Sequence, residues 1–95
     1  MYTIYVQFQC LPGKREAFVQ AVRQEGILEA IRAEDGCLRY DYYFSEEDPC
    51  QLLLIEAWES HQHQKTHIEQ PHMARLREMK GDYIQSTTLG EFFLK

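Results

Sequence analysis

The sequence predicts an α+β protein in which an antiparallel sheet carries helices on one face. Three observations lead to this fold class: segments with apolar residues at period two, segments with the period of an amphipathic helix, and Gly or Pro residues at their junctions. The chain has 95 residues, of which 44% are hydrophobic. That length suits one small domain, so we expect a single domain over residues 1–95.

The first strand and the first helix are each followed by a glycine turn. Residues 2–10 alternate between apolar and polar side chains, which predicts a strand that Pro12-Gly13 ends. A helix is predicted over residues 14–34, although a glycine inside a helix, here Gly26, costs about 1 kcal/mol. Gly36 is suited to a left-handed cap after this helix.

The next two strands predict a hairpin. Residues 37–44 alternate so that Leu38, Tyr40, Tyr42 and Phe44 share one face, and a polar turn joins them to a strand over residues 51–59. This later strand is apolar on both faces. Leu52, Leu54, Glu56 and Trp58 lie on one face, and Leu53, Ile55 and Ala57 lie on the other. Helices can cover only one face, so we expect a second copy of the chain to cover the other, giving a homodimer.

The last third of the chain predicts two helices and a strand. Ser60 can cap a short helix, Gln70-Pro71 breaks it, and a second helix begins at Pro71 and runs to about Lys80. Residues 83–94 are predicted to form the final strand. The resulting order, β-α-β-β-α-β, is that of the ferredoxin-like fold.

Composition and motifs exclude several classes of function. The net charge is −5, and the ten Lys and Arg residues are scattered, so we expect no nucleic-acid partner. The longest apolar run, residues 52–55, is far shorter than a membrane span, and the first residues lack the pattern of a signal peptide. The three cysteines have no CxxC spacing and predict reduced thiols in the cytoplasm. Nucleotide, flavin and serine-hydrolase motifs are absent, so we expect no cofactor.

Two groups of residues are candidates for chemistry. Alternation places Glu56 and Trp58 on the same strand face. Partial desolvation there raises the pKa of a carboxyl group and suits it to proton transfer. The alternative is that Glu56 forms a salt bridge and Trp58 is an ordinary core residue.

The four histidines, His61, His63, His67 and His72, surround the helix break. His67 and His72 are the candidate general bases, whereas His61 and His63 are expected on a solvated helix face. His63 and His67 have metal-ligand spacing, with Glu59 or His72 as a possible third ligand, but no HExxH or Cys/His pairing is present and we expect no metal.

Three segments, Asp35–Tyr40 (DGCLRY), Leu54–Ser60 (LIEAWES) and His67–His72 (HIEQPH), resemble the antibiotic biosynthesis monooxygenase family in order and spacing. The resemblance implies a dimeric α+β barrel with a pocket between sheet and helices. It implies His67, His72 and Glu56 as catalytic residues. It implies Trp58, Tyr40, Tyr42 and Leu54 as substrate-binding residues, Leu54 standing where the aromatic-polyketide type has an asparagine. The chain contains no asparagine, which argues against the haem-degrading type and also against the asparagine-dependent oxygenase mechanism.

The resemblance leaves three hypotheses for function. The first is a cofactor-independent monooxygenase in which a histidine deprotonates a quinol or similar phenol and the resulting anion reduces O2. The second is an isomerase of the phospho-autoinducer-2 type, in which His and Glu shuttle a proton and Arg39 or Arg75 binds a phosphate. The third is a non-catalytic dimeric ligand-binding protein.

Overall fold

One four-stranded antiparallel sheet forms the frame of the protein, in a computed structural model that describes residues 1–91. Its strands are β1 (Tyr2–Cys10), β2 (Cys37–Phe44), β3 (Gln51–Trp58) and β4 (Ile84–Glu91), and they lie in the order β2-β3-β1-β4. The central strands β3 and β1 pair over their whole length, so the residues of these two strands form the middle of the sheet.

Helices cover one face of the sheet. They are α1 (Arg15–Gln24), α2 (Ile27–Arg32), α3 (His61–Ile68) and α4 (Pro71–Lys80), so the order is β-α-α-β-β-α-α-β. The predicted ferredoxin-like α+β fold is confirmed. The single helix predicted over residues 14–34 is wrong: Gly26 adopts a left-handed φ of 74° and separates α1 from α2. None of the helices among residues 1–91 is long and apolar enough to cross a membrane.

The core lies between the helices and the inner face of the sheet. Ile4, Val6, Phe8 and Cys10 of β1 and Leu52, Leu54, Glu56 and Trp58 of β3 are buried there, as period-two alternation predicts. Helices α1 and α2 contribute Phe18, Val22, Leu28 and Ile31, and α4 contributes Leu76 and Met79. The catalytic candidates of β3 are therefore part of this inner layer.

Strand β2 departs from simple alternation. Tyr40 is buried, but Leu38 is 53% exposed because the pairing register of β2 with β3 shifts between Cys37 and Arg39. Phe44 is 48% exposed at the corner of the sheet, where the Arg15 guanidinium lies 4.7 Å from its ring centroid. The predicted common face of β2 therefore contributes only its middle residues to the core.

The outer face of the sheet has an apolar centre without a helix over it. Leu53 and Ile55 of β3 are half-buried there, and Tyr5 of β1 pairs with Ile55 in register. This is the second apolar face that the sequence predicts for β3. The predicted final strand begins at Ile84, and its residues 92–94 lie outside the described residues.

Candidate active site

A cavity of about 160 Å³ lies between the inner face of the sheet and helices α3 and α4. Its walls are mainly apolar. They comprise Ile4, Val6, Phe8, Phe18, Tyr40, Leu54, Ile68, Met73, Leu76 and Leu89, with Glu56, Gln64, His67, Arg77, Lys80 and Thr87 as the polar members. An apolar pocket in which a few polar groups converge is the usual form of a small-molecule site.

Glu56 and Trp58 form a hydrogen-bonded pair on β3. The Trp58 indole donates from Nε1 to Oε1 of Glu56 at 3.0 Å, and both side chains are buried. Burial raises the pKa of the Glu56 carboxyl group, while the Trp58 hydrogen bond and nearby His67 act against this rise. Glu56 makes no salt bridge within residues 1–91, so its protonated form is favoured to higher pH than in an exposed glutamate.

Two imidazoles share one carboxylate oxygen beside the cavity. Oε2 of Glu34 lies 2.8 Å from Nδ1 of His67 and 2.7 Å from Nε2 of His72. A carboxylate accepts hydrogen bonds, so these two ring nitrogens are the protonated donors. In the neutral form of His67, the proton on Nδ1 leaves Nε2 as an acceptor.

The helix break brings these two histidines together. On a continuous helix, side chains five residues apart point about 140° away from each other. Here α3 ends at Ile68, and Pro71 begins α4 after the extended residue Gln70. His67 in the last turn of α3 and His72 in the first turn of α4 therefore face the same carboxylate.

The turn between α2 and β2 positions Glu34. Gly36 has the predicted left-handed φ, at 80°, but it lies in the turn and does not cap α2, because the C-cap of that helix is Ala33. The carbonyl oxygen of Gly36 accepts from Glu59 N at 2.9 Å. A Cβ atom at Gly36 would lie 2.3 Å from the His63 ring, so helix α3 packs directly on this turn. Glu34 is thereby held under the junction of α3 and α4 with 11% of its side chain exposed.

Aromatic rings hold His67 in place. The His67 imidazole is 2% exposed, with its centroid 4.6 Å from the Trp58 ring and 5.7 Å from the Tyr40 ring. The Tyr42 ring meets Tyr40 edge to face at 6.0 Å. Burial raises the pKa of both tyrosines, so their hydroxyls stay protonated near neutral pH.

Comparison with known proteins agrees with this architecture. The family model described as antibiotic biosynthesis monooxygenase matches residues 1–79. The chain belongs to the antibiotic biosynthesis monooxygenase family. A relative named "Probable quinol monooxygenase YgiN", from Escherichia coli strain K12, is 27% identical over 94 residues, which cover 90% of each chain. These matches support a monooxygenase-type function at the level of the family.

Solved structures show the same fold. Rv0793 from Mycobacterium tuberculosis is 26% identical, with a TM-score of 0.81 over 99% of this chain and 94% of the other. PA3566 from Pseudomonas aeruginosa is 23% identical, with a TM-score of 0.84 over 99% and 93%.

This monooxygenase-family cavity includes most, but not all, of the side chains that the sequence singles out. Glu56, His67, Tyr40 and Leu54 line the cavity. Trp58 and Tyr42 lie in the aromatic layer next to it, and His72 contacts Glu34 from the partly exposed side. Arg39 and Arg75 do not line the cavity; they pair instead with Asp41 at 3.5 Å and with Glu25 at 2.7 Å.

Two polar residues of the site are missing from the sequence-based candidates. Glu34 contacts histidines 33 and 38 positions away, a separation that no local pattern reveals. Gln64 is 8% exposed and lines the cavity one turn before His67. Gln64 lies three residues before His67, so helix periodicity places both side chains on one face of α3, and this spacing could have identified Gln64 from the sequence.

Two groups in residues 1–91 have donor atoms close enough for a metal ion: Glu34 with His67 and His72, and Asp35 with Glu59 and His63. His63 and His67 therefore belong to different groups. In a tetrahedral zinc site, metal–ligand bonds of about 2.0–2.1 Å keep the donors farther apart than the 2.7–2.8 Å seen at Glu34. The Glu34 distances are those of hydrogen bonds.

Proposed function

We propose that the protein is a cofactor-independent monooxygenase of a quinol or similar phenol. The observation that carries this proposal is the buried His67 imidazole, which lines an apolar cavity while its Nδ1 is bound to Glu34. A base held this way in a mainly apolar cavity suits the removal of a phenolic proton. The name of the Escherichia coli relative, a quinol monooxygenase, supports the same substrate class.

The first step is proton transfer from the phenol to Nε2 of His67. The Glu34 carboxylate fixes the ring tautomer and stabilises the imidazolium that forms, as the carboxylate of a catalytic triad does. His72 contacts the same carboxylate oxygen and is 20% exposed. The Glu34–His72 pair thus lies between the buried imidazole and solvent.

The second step is oxidation of the resulting anion by O2. Oxygen adds to a ring carbon to give a hydroperoxide, and loss of water leaves a hydroxyquinone. One oxygen atom enters the product and the other leaves as water, so the substrate supplies all four electrons. Burial raises the pKa of Glu56, which lines the cavity, and the carboxyl group in its protonated form gives a proton to the departing oxygen. The Gln64 amide hydrogen-bonds the developing carbonyl oxygen.

The proposal extends to the assembly and the setting of the enzyme. We propose a single domain that forms a homodimer through the outer sheet face, where Leu53 and Ile55 are half-buried and no helix packs. Cys10, Cys37 and Cys50 are free thiols, which supports a place in the reducing cytoplasm.

Oxygen uptake with 2,5-dihydroxyphenylacetate, a single-ring quinol, tests the proposed function. The wild-type protein should consume O2 above the rate of uncatalysed quinol oxidation with no flavin or metal added, and ¹⁸O2 should label both product and water. His67→Ala should lower kcat by about 100-fold or more, which is the usual contribution of a general base.

His61→Ala is the matched control, since His61 is exposed and stacks on Tyr2 at 4.3 Å, away from the cavity. It should keep wild-type turnover. O2 consumption no faster than the uncatalysed rate would contradict the proposed monooxygenase. Full turnover in His67→Ala, with a normal unfolding curve, would refute the base assignment.

A further inference from the structure

The two ends of the cavity differ in chemistry. On the sheet side, Ile4 pairs with Glu56 and Phe8 pairs with Leu52. A strand rises about 3.3 Å per residue, so the Ile4 and Phe8 levels are about 13 Å apart. Glu56 and His67 lie at the first level and form the proton-transfer end.

A lysine occupies the other end. Nζ of Lys80 lies 5.2 Å from the centroid of the Phe8 ring, and Lys80 lines the cavity from α4. Met73, Leu76, Arg77 and Lys80 follow helical spacing and face the cavity together. Arg77 also reaches the cavity wall and donates from Nη1 to the Ile68 carbonyl at 3.1 Å.

Neither cation has a carboxylate partner among residues 1–91. The ion pairs of that part of the chain include the neighbouring Arg75, which contacts Glu25 at 2.7 Å and Glu78 at 3.3 Å, but not Lys80 or Arg77. Lys80 is half-buried, and its desolvation lowers the pKa of the ammonium group. A partly desolvated ammonium group is stabilised by an opposite charge, and Lys80 has only its cation–π contact with the Phe8 ring, so its place in the cavity wall favours an anionic ligand.

We propose that the cavity binds an anionic phenol, with its ring against His67 and Glu56 and its carboxylate or other anionic substituent paired with Lys80. Arg77 supplies a second positive charge at the same wall. A cavity of about 150 Å³ is known to hold one benzene ring, and this one measures about 160 Å³. The ligand is therefore a single ring with a short acidic substituent, and Lys80 determines the specificity for it. The aromatic part of this inference rests on the proposed function.

Titration calorimetry at pH 7 with 4-hydroxyphenylacetate and its neutral methyl ester tests the inference. The two probes share the phenol and differ in the negative charge. The wild-type protein should bind the acid at least about 10-fold more tightly than the ester, because a hydrogen bond to a charged group is stronger than one to a neutral group. Lys80→Met and Lys80→Gln should remove the preference, and Lys80→Arg should retain it.

Lys65→Met is the matched control, since it removes one exposed positive charge from α3 outside the cavity. It should keep the preference for the acid. Equal affinities of the wild-type protein for the two probes, or a preference that survives in both folded Lys80 variants, would overturn the inference. These binding results do not depend on turnover: a protein that prefers the acid but consumes no O2 with 2,5-dihydroxyphenylacetate would refute the proposed function alone.

Discussion

Glu56 shows how a single residue links the strand pattern to chemistry. Its side chain lies on the inner face of β3 with 5% exposure, because alternation places every second residue there. Ionisation of Glu56 is therefore opposed by burial, and the pKa of the group rises above its ordinary value of 4.5. The same burial that suits Glu56 to donate a proton makes its charged form unfavourable for folding.

The stability of the protein should therefore depend on the ionisation of Glu56. Below pH 4.5 the carboxyl is protonated in both the folded and the unfolded chain. Between pH 4.5 and the higher folded pKa only the unfolded chain loses the proton, so the Glu56 contribution to the free energy of unfolding falls as pH rises. Glu56→Gln keeps an acceptor for the Trp58 indole and should abolish this fall, making the variant relatively more stable at pH 7 than at pH 4.5 in urea unfolding.

The control for Glu56→Gln is Glu29→Gln, which alters an exposed carboxylate on α2. The difference in the free energy of unfolding between Glu29→Gln and the wild-type protein should change little between pH 4.5 and pH 7. If Glu56→Gln and Glu29→Gln show the same pH dependence, the carboxyl of Glu56 is not desolvated in the folded protein.

Individual residues of the site differ in how far sequence predicts them. The Glu56–Trp58 pair follows from period-two alternation, because both residues belong to one strand. His67 and His72 follow from the helix break at Pro71. Glu34 could not be predicted, because its role depends on how the turn before β2 packs under the α3–α4 junction, which is a property of tertiary structure.

At the level of elements, two glycines have similar backbone angles but different surroundings. Gly26 separates α1 from α2 with a φ of 74°, and a Cβ atom there would have no neighbour within 4 Å. Gly36 precedes β2 with a φ of 80°, and a Cβ atom there would lie within 2.3–2.9 Å of the His63 side chain. Alanine substitutions at these two glycines therefore distinguish the energetic cost of the backbone angle from the energetic cost of the steric clash.

Alanine at the two positions should destabilise the protein unequally. Gly26→Ala should lower the free energy of unfolding by about 1–2 kcal/mol, the cost of a left-handed angle with a side chain. Gly36→Ala should lower it by about 1–3 kcal/mol more, since the His63 ring must also move. Urea unfolding measures both values.

His63→Ala supplies the check on this explanation. In the background of His63→Ala, which removes the ring but keeps the Cβ atom 2.9 Å away, the Gly36→Ala substitution should cost less than it does in the wild-type protein. Equal losses for the two glycine variants would show that α3 does not pack on the turn as described.

Strands and turns were more predictable than helix continuity. The strand bounds agree with the predicted ones within a residue or two for β1, β2 and β3, because alternation and Pro or Gly turns are local signals. The predicted helix over residues 14–34 failed at Gly26, because the apolar stripe continues across the break and conceals it. The exposure of Leu38 depends on a register shift between strands, which one strand's sequence does not encode.

At the scale of the whole molecule, the two faces of the sheet differ in whether helices pack on them. Helices bury the inner face, whereas the outer face keeps Leu53, Ile55 and Tyr5 half-buried at its centre. Tyr43, at 42% exposure, extends this apolar surface on β2 next to Leu53. A contiguous apolar surface on a sheet commonly marks an interface with another chain.

Charge on this face should prevent the proposed dimer. Leu53→Asp and Ile55→Asp would each place a carboxylate in the centre of the interface, where its desolvation is unfavourable. Both variants should elute as monomers in size-exclusion chromatography with light scattering, whereas the wild-type protein should have the mass of two chains.

Ala74→Asp serves as the control, since Ala74 is exposed on α4 and far from the outer sheet face. This variant should remain dimeric. A wild-type protein with the mass of one chain, or an unaltered dimer in both β3 variants, would contradict the proposed interface.

The aromatic layer around His67 also gives the protein an intrinsic optical reporter. Trp58 is the sole tryptophan of the chain, and its ring centroid lies 4.6 Å from that of His67. An imidazolium quenches indole fluorescence more strongly than a neutral imidazole does. The emission intensity of the unlabelled protein should therefore follow the protonation of one histidine, so that the charge state of the proposed base can be recorded in real time during a reaction.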